Sequence, residues 1–162
     1  MKEFEQLYQS LSKDIFRFAC FLCHDKELAQ DIVAETFARA ISSGQSIRGE
    51  TAKAYLFKIA RNFFLEIQNK DNLAKRHLEE TIEQSELLEH QAFQKDQLSE
   101  LHNYMQHMSL EARTALSLSM SGAKISEIAF ILSISESAVK VKVFRARQFL
   151  SERLNTSNNQ KN

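Results

Sequence analysis

Apolar residues recur along this chain at the three- and four-residue steps of amphipathic helices. Phe4, Leu7, Tyr8, Leu11, Ile15, Phe18, Ala19 and Leu22 line one face of a first long helix. Asp25 is placed to cap a second helix, whose stripe is Leu28, Ala29, Ile32, Thr36, Phe37 and Ala40. Ser42 to Gly49 forms a break. A third helix follows, with Leu56, Ile59, Ala60, Phe63 and Ile67 inward and Lys53, Lys58, Arg61 and Asn62 on its other side. Three such helices can close a small core of about 70 residues.

From about Asp71 to Asp96 the pattern weakens and the composition turns acidic and Gln-rich, as in a linker with no core of its own. A second module starts near Phe93. Leu98, Leu101, Met105 and Met108 share one helix face. Ser109 can cap the next helix, which stops at Gly122. A short helix over Ser126–Leu132, a Ser133-Ile134-Ser135 link and a final helix from Glu136 to about Leu154 complete the chain. Val139 to Phe144 alternates like a strand. In longer context, Val139, Val143, Ala146 and Leu150 step by four, three and four, so the spacing predicts a helix that leaves Val141 and Phe144 partly exposed.

Composition supports an all-α fold. The 162 residues include three glycines and no proline, and tight β-turns draw heavily on both. No run approaches the roughly 20 apolar residues of a membrane span, and the start, MKEFEQLYQS, has no apolar signal region, so no membrane insertion and no export are expected.

The net charge is zero, which on its face argues against a nucleic-acid partner. Its distribution argues otherwise. Residues 1–77 carry 12 basic and 10 acidic side chains, residues 78–100 one basic and seven acidic, and residues 101–162 eight basic and four acidic. Within Ala138–Arg153, Lys140, Lys142, Arg145, Arg147 and Arg153 stand against Glu152 alone.

The segments 126–132 and 136–150 form a helix-turn-helix pattern. Ala129 is small where the helices cross, Ile134 plugs the turn, and Val139 anchors the inner face. Lysine and arginine on the outer face can neutralise phosphates and donate to guanine edges, and Val141 can touch a thymine methyl. On this pattern alone, a basic amphipathic helix that is merely solvated stays open as an alternative.

Three stretches resemble a known family. Asp25-Lys-Glu-Leu-Ala-Gln-Asp-Ile-Val-Ala-Glu-Thr-Phe-Ala-Arg-Ala40 resembles the polymerase-binding helix of bacterial sigma factors. Residues Ile47 to Asn62 are similar to the promoter-melting segment that follows it, and Ile125 to Arg147 resemble the family's C-terminal helix-turn-helix. Two such modules, over about residues 1–76 and 95–153, match the layout of the extracytoplasmic-function (ECF) group.

The resemblance implies a domain plan: region 2 over residues 1–76, a linker over 77–95, region 4 over 96–154 and a disordered tail over 155–162. It implies that Asp31, Glu35, Phe37 and Arg39 dock on the beta-prime clamp helices of core RNA polymerase, with the beta flap as a further contact. It assigns Arg48, Gly49, Glu50, Lys53, Tyr55, Lys58, Arg61 and Asn62 to the single-stranded minus-ten element. It assigns Ser137, Lys140, Val141, Lys142, Phe144, Arg145 and Arg147 to the minus-thirty-five duplex. The physics agrees with single-strand capture: a flipped base needs a pocket, and its backbone needs positive charge. Promoter DNA and core polymerase are the implied partners, an anti-sigma factor is a further one, and the implied compartment is the cytoplasm. The acidic linker matches the segment that threads polymerase channels in this family, and by cancelling the tail's charge it is expected to help keep the free chain off DNA.

The chain departs from the family pattern in places. Met108-Ser109 stands where Leu-Pro is usual, Ser133 where Gly is usual in the turn, Tyr55 where Trp is common, and Ala34 where Gln is common. Ala138, Val141 and Lys142 replace Thr, Ser and Arg, which bears on promoter sequence rather than on fold.

Other signals are discounted. Cys20-Phe-Leu-Cys23-His24 spells the c-type haem attachment string, but that chemistry needs export, and cysteines on an amphipathic helix behave as small hydrophobes. A zinc or redox role for Cys20, Cys23 and His24 stays open. His77, His90, His102 and His107 match no zinc spacing, and no nucleophile–base pair or phosphate loop emerges. No cofactor, no metal and no catalytic residue are expected. Two other functions stay open: a helix-turn-helix regulator that binds duplex DNA without polymerase, and a helical adaptor that binds polymerase alone.

Overall fold

The computed structural model describes residues 2–79, 103–105 and 107–160. Among the described residues the longer helices are α1 (Lys2–Cys23), α2 (Lys26–Ser42), α3 (Glu50–Glu79), α4 (Leu110–Met120), α5 (Ile125–Leu132) and α6 (Glu136–Gln160). Among the described residues there is no strand, and Val139–Phe144 is helical. The part of the expected linker beyond Glu79 lies outside the described residues, as do Leu98, Leu101, His90 and His102.

The helix boundaries follow from capping chemistry. The Asp25 carboxylate accepts from the N–H groups of Glu27 (2.9 Å) and Leu28 (3.2 Å) and starts α2. Ser109 accepts from Ala112 N–H (3.2 Å) at α4, and Ser135 from Ala138 N–H (3.1 Å) at α6. Each satisfies an otherwise orphaned backbone donor. α4 ends where Gly122 turns left-handed (φ 87°) and Ala123 N–H reaches back to Leu118 C=O at 3.0 Å. α5 ends the same way, but with a serine: Ser133 has φ 56° while Ile134 N–H bonds Ala129 C=O at 3.1 Å. α6 continues past the expected end at Leu154, so residues 155–160 of the expected disordered tail are helical.

α1, α2 and α3 close the N-terminal bundle around Ile15, Phe18, Ala19, Leu22, Ala29, Ile32, Leu56 and Ala60. Val33, Phe57 and Phe64 join this core although the sequence reading did not place them there. Phe18 and Phe57 meet edge-to-face with ring centroids 4.9 Å apart.

The two modules do not keep separate cores. Ala115, Leu118, Ile128, Ile131, Leu132 and Val139 belong to the same buried cluster as the N-terminal bundle. α4 packs on α1, and α5 packs on α3. A smaller cluster of Met105, Leu116, Ala146 and Leu150 is covered partly by Phe21 of α1. The two modules therefore pack on one another, which the sequence pattern, giving two modules and a linker with no core of its own, did not state. The reason is local composition: α5 is apolar on the side that faces its own helix-turn-helix partner and also on the side that faces α3.

Candidate nucleic-acid interface

α5 and α6 form the expected helix-turn-helix. Val139 is fully buried, Ile134 packs against the core from the turn, and Ala129 sits partly buried at the crossing. This fixes the rotation of α6. Ser137, Lys140, Val141, Phe144, Arg145 and Arg147 then face solvent together. Val141 is 46% exposed and Phe144 62%, high values for apolar side chains and the kind of surface a groove floor can cover. Two cations are held from the side: Lys142 Nζ pairs with Glu111 at 3.5 Å, and Arg147 donates to Ser119 Oγ at 3.0 Å. Lys140 and Arg145 project without such ties among the described residues.

The expected minus-ten residues gather at the N-terminal half of α3 and the loop before it. Gly49, left-handed at φ 75°, swings the chain into the helix. Several of the cations there are already engaged. Arg48 pairs with Glu3 at 2.9 Å, Lys53 with Asp14 at 3.4 Å, and Lys58 Nζ lies 4.4 Å from the ring centroid of Phe130. Arg61 reaches Asn62 Oδ1 at 3.4 Å, and its Nε is buried without a partner. Glu50 and Asn62 are exposed. A cavity of about 160 Å³ is lined by Gln45, Ser46, Ile47, Thr51, Ala52 and Tyr55, and Phe130 of α5 closes it. Phe130 was not singled out in the sequence, because an exposed aromatic on a short apolar helix reads as ordinary core.

The third expected set divides. Asp31 is exposed, and Glu35 and Arg39 are half-buried. Phe37 is only 3% exposed and packs edge-to-face on Phe4 and Tyr8, with centroids 5.8 and 4.8 Å apart. It is core, packed beneath the face of α2 that carries Asp31, Glu35 and Arg39. Arg39 is bidentate to Glu66 of α3 (2.9 Å each), donates to Glu35 at 2.8 Å, and stacks over Phe63 at 4.9 Å. It ties α2 to α3. The hydrogen bonds from Arg39 hold the Glu66 carboxyl below its ordinary range.

Cys20 and Cys23 are free thiols, both partly buried, and burial raises both above the usual thiol range. Cys23 donates to Asp25 C=O at 3.2 Å. His24 takes a left-handed backbone (φ 53°) at the end of α1. Among the described residues, no group of three or more His, Cys, Asp and Glu is arranged to hold a metal ion, and no helix is long and apolar enough to cross a membrane.

Comparison with known proteins decides what this arrangement belongs to. The family model for sigma-70 region 2 matches residues 7–70, and that for sigma-70 region 4 matches residues 98–150. The ECF RNA polymerase sigma factor SigM of Bacillus subtilis is 30% identical over 155 residues, covering 90% of this chain and 91% of SigM. The chain belongs to the ECF sigma factors. SigX of Bacillus subtilis, another ECF sigma factor, is 23% identical over 93% of this chain and 83% of its own length. The fold agrees with the sigma factor RpoE of Bartonella quintana, solved with the anti-sigma factor NepR, at a TM-score of 0.78 and 24% identity over 96% of this chain and 98% of that one. CnrH, solved with the cytosolic domain of CnrY, gives a TM-score of 0.68 at 19% identity, over 96% and 89%. As an ECF sigma factor, the chain is a promoter-specific transcription initiation factor that works with RNA polymerase, a regulatory subunit by family.

Proposed function

We propose that the α6 face of Ser137, Lys140, Val141, Lys142, Phe144, Arg145 and Arg147 reads the minus-thirty-five duplex. The observation that carries this is the rotation of α6: burying Val139 leaves those side chains on or beside one exposed face. Lys140, Arg145 and Arg147 supply phosphate and base-edge contacts. Val141 and Phe144 supply apolar contact to thymine methyls.

The loop before α3 and its first turns capture the unpaired minus-ten strand. Arg48, Lys53, Lys58 and Arg61 draw the backbone in. Tyr55 lines the cavity, and with Gly49, Glu50 and Asn62, on the same loop and helix, it reads a flipped base. In the closed arrangement Phe130 covers that cavity, so base capture requires α5 to leave α3. Asp31, Glu35 and Arg39 form the rim of the polymerase-docking face on α2, over the buried Phe37. No residue of the chain performs a bond-making step; polymerase supplies the chemistry, and the protein works in the cytoplasm. RpoE of Bartonella quintana was solved with an anti-sigma factor, which supports a partner of that kind here.

The test is run-off transcription with the purified chain, core polymerase that lacks other sigma factors, and cognate promoters. Transcripts support this function, duplex binding without transcripts supports a conventional regulator, and polymerase binding alone supports an adaptor. Arg61→Ala with Asn62→Ala is expected to reduce open-complex formation at least tenfold more than polymerase binding, on the order of one base-stacking contact. Equal loss of both would remove the minus-ten assignment.

A further inference from the structure

Arg113 stands in the first turn of α4, at the seam between the modules. It is only 8% exposed. Its Nε has no hydrogen-bond partner, and no ion pair to its guanidinium exists among the described residues. Burial lowers its pKa from the usual guanidinium range. A buried guanidinium with an unpaired Nε–H and no ion-pair partner is among the costlier features a fold can hold.

The surroundings of Arg113 differ from those of a packed core. It lines a cavity of about 320 Å³ together with Leu22 and Cys23 of α1, Leu28 of α2, and Phe64, Ile67, Gln68 and Asp71 of α3. That volume is at the lower end of small-molecule sites. Cys23 is a neutral thiol, its pKa raised by burial. Gln68 offers an amide N–H₂. The N-terminal module thus provides the walls, and the C-terminal module provides the cation.

We propose that this cavity binds a small oxyanion, a carboxylate or phosphate group, with Arg113 as its anchor, and that the bound anion locks the two modules closed. Guanidinium is the side chain best matched to such groups, through paired N–H donors. Gln68 donates a further bond. Asp71 limits the negative charge the site accepts. Because the walls and the anchor come from different modules, the site exists only while they are together. Binding therefore shifts the closed-to-open ratio by mass action, about tenfold when the free anion reaches nine times its dissociation constant. This goes beyond promoter recognition and does not depend on it.

The test uses the full chain with ¹⁵N-labelled arginine and follows the Nε–H resonances. Inorganic phosphate and, separately, succinate are titrated against chloride at constant ionic strength, and the thermal midpoint is recorded. The expected result is a saturable shift of the Arg113 resonance and a rising midpoint with one of the two anions, which also identifies the source. Arg113→Gln keeps an amide donor and is expected to abolish the saturable response. Asp71→Asn, at an exposed position, is expected to tighten anion binding severalfold, and it serves as the second variant if Arg113→Gln does not fold. A response that never saturates with either anion, or that persists in Arg113→Gln, overturns the proposal. So does an Asp71→Asn protein whose affinity is unchanged.

Discussion

Ser133 occupies a left-handed backbone position (φ 56°) that costs a side-chain-bearing residue roughly 1–2 kcal/mol. Ser133→Gly is expected to stabilise the fold by about 1 kcal/mol, after the extra chain entropy of glycine is deducted. Thermal unfolding should then shift up by roughly 2–4 °C; a lower midpoint would show that the serine side chain supports the turn. Arg39 and Glu66 make a second prediction. The Glu66 carboxyl is held below its ordinary range by Arg39, so the native state favours its charged form. That contribution is present above the ordinary carboxylate pKa, about 4.3, and is lost as pH falls through the lower native value. Glu66→Gln should therefore flatten the dependence of the thermal midpoint on pH below about 5, and it should leave the dependence near pH 7 as it was. At this scale the sequence was partly legible. Caps at Asp25, Ser109 and Ser135 could be read from residue type and spacing, because their hydrogen bonds are local. Arg113 could not, since a charged residue on a helix reads as solvated until its neighbours from other helices are known. Phe37 could be read both as core and as docking face, and only packing on Phe4 and Tyr8 separates the two.

Among the elements, α6 does two jobs along one length. Val139, Ala146 and Leu150 bury one side, and the side chains proposed to read duplex DNA occupy the other. The alternating Val139–Phe144 run resolves as helix because burial repeats at three and four, a periodicity that no strand could satisfy. Lys140→Ala and Arg145→Ala should each reduce the slope of log affinity for duplex DNA against log salt by about 0.9. An unchanged slope in both would move the phosphate contacts to another face. Periodicity also gave α1 and α2 nearly in full, apart from Val33. It was weaker for α3, where Phe57 and Phe64 are buried and Ile59, Phe63 and Ile67 only partly so. A helix packed on two sides carries two stripes, and a single-stripe reading finds the more regular one.

Across the whole molecule, the closed arrangement is the feature that sequence could not announce. Each apolar stripe is visible, but nothing in a linear pattern says which stripe faces which. Phe130, 49% exposed, stands at the edge of the seam, over Lys58 and the cavity beside Tyr55. Phe130→Ala should weaken the closed form by about 1 kcal/mol, roughly a fivefold shift toward the open one. Small-angle scattering should then give a larger radius of gyration, and duplex binding in the absence of polymerase should rise. No change in either would place the hold on the modules elsewhere along the seam.

The shared core has a consequence for how the chain is made. α1 to α3 leave the ribosome first, and the residues that complete their core, among them Leu118, Ile128 and Ile131, follow some dozens of residues later. At ordinary synthesis rates the interval is on the order of 2–10 s. For that time the half-made protein offers a bare apolar face to whatever is nearby. Stalled nascent chains ending near residue 100 should cross-link to chaperones through a photoreactive side chain at position 52, which lines the cavity with Phe130, and chains released at full length should not.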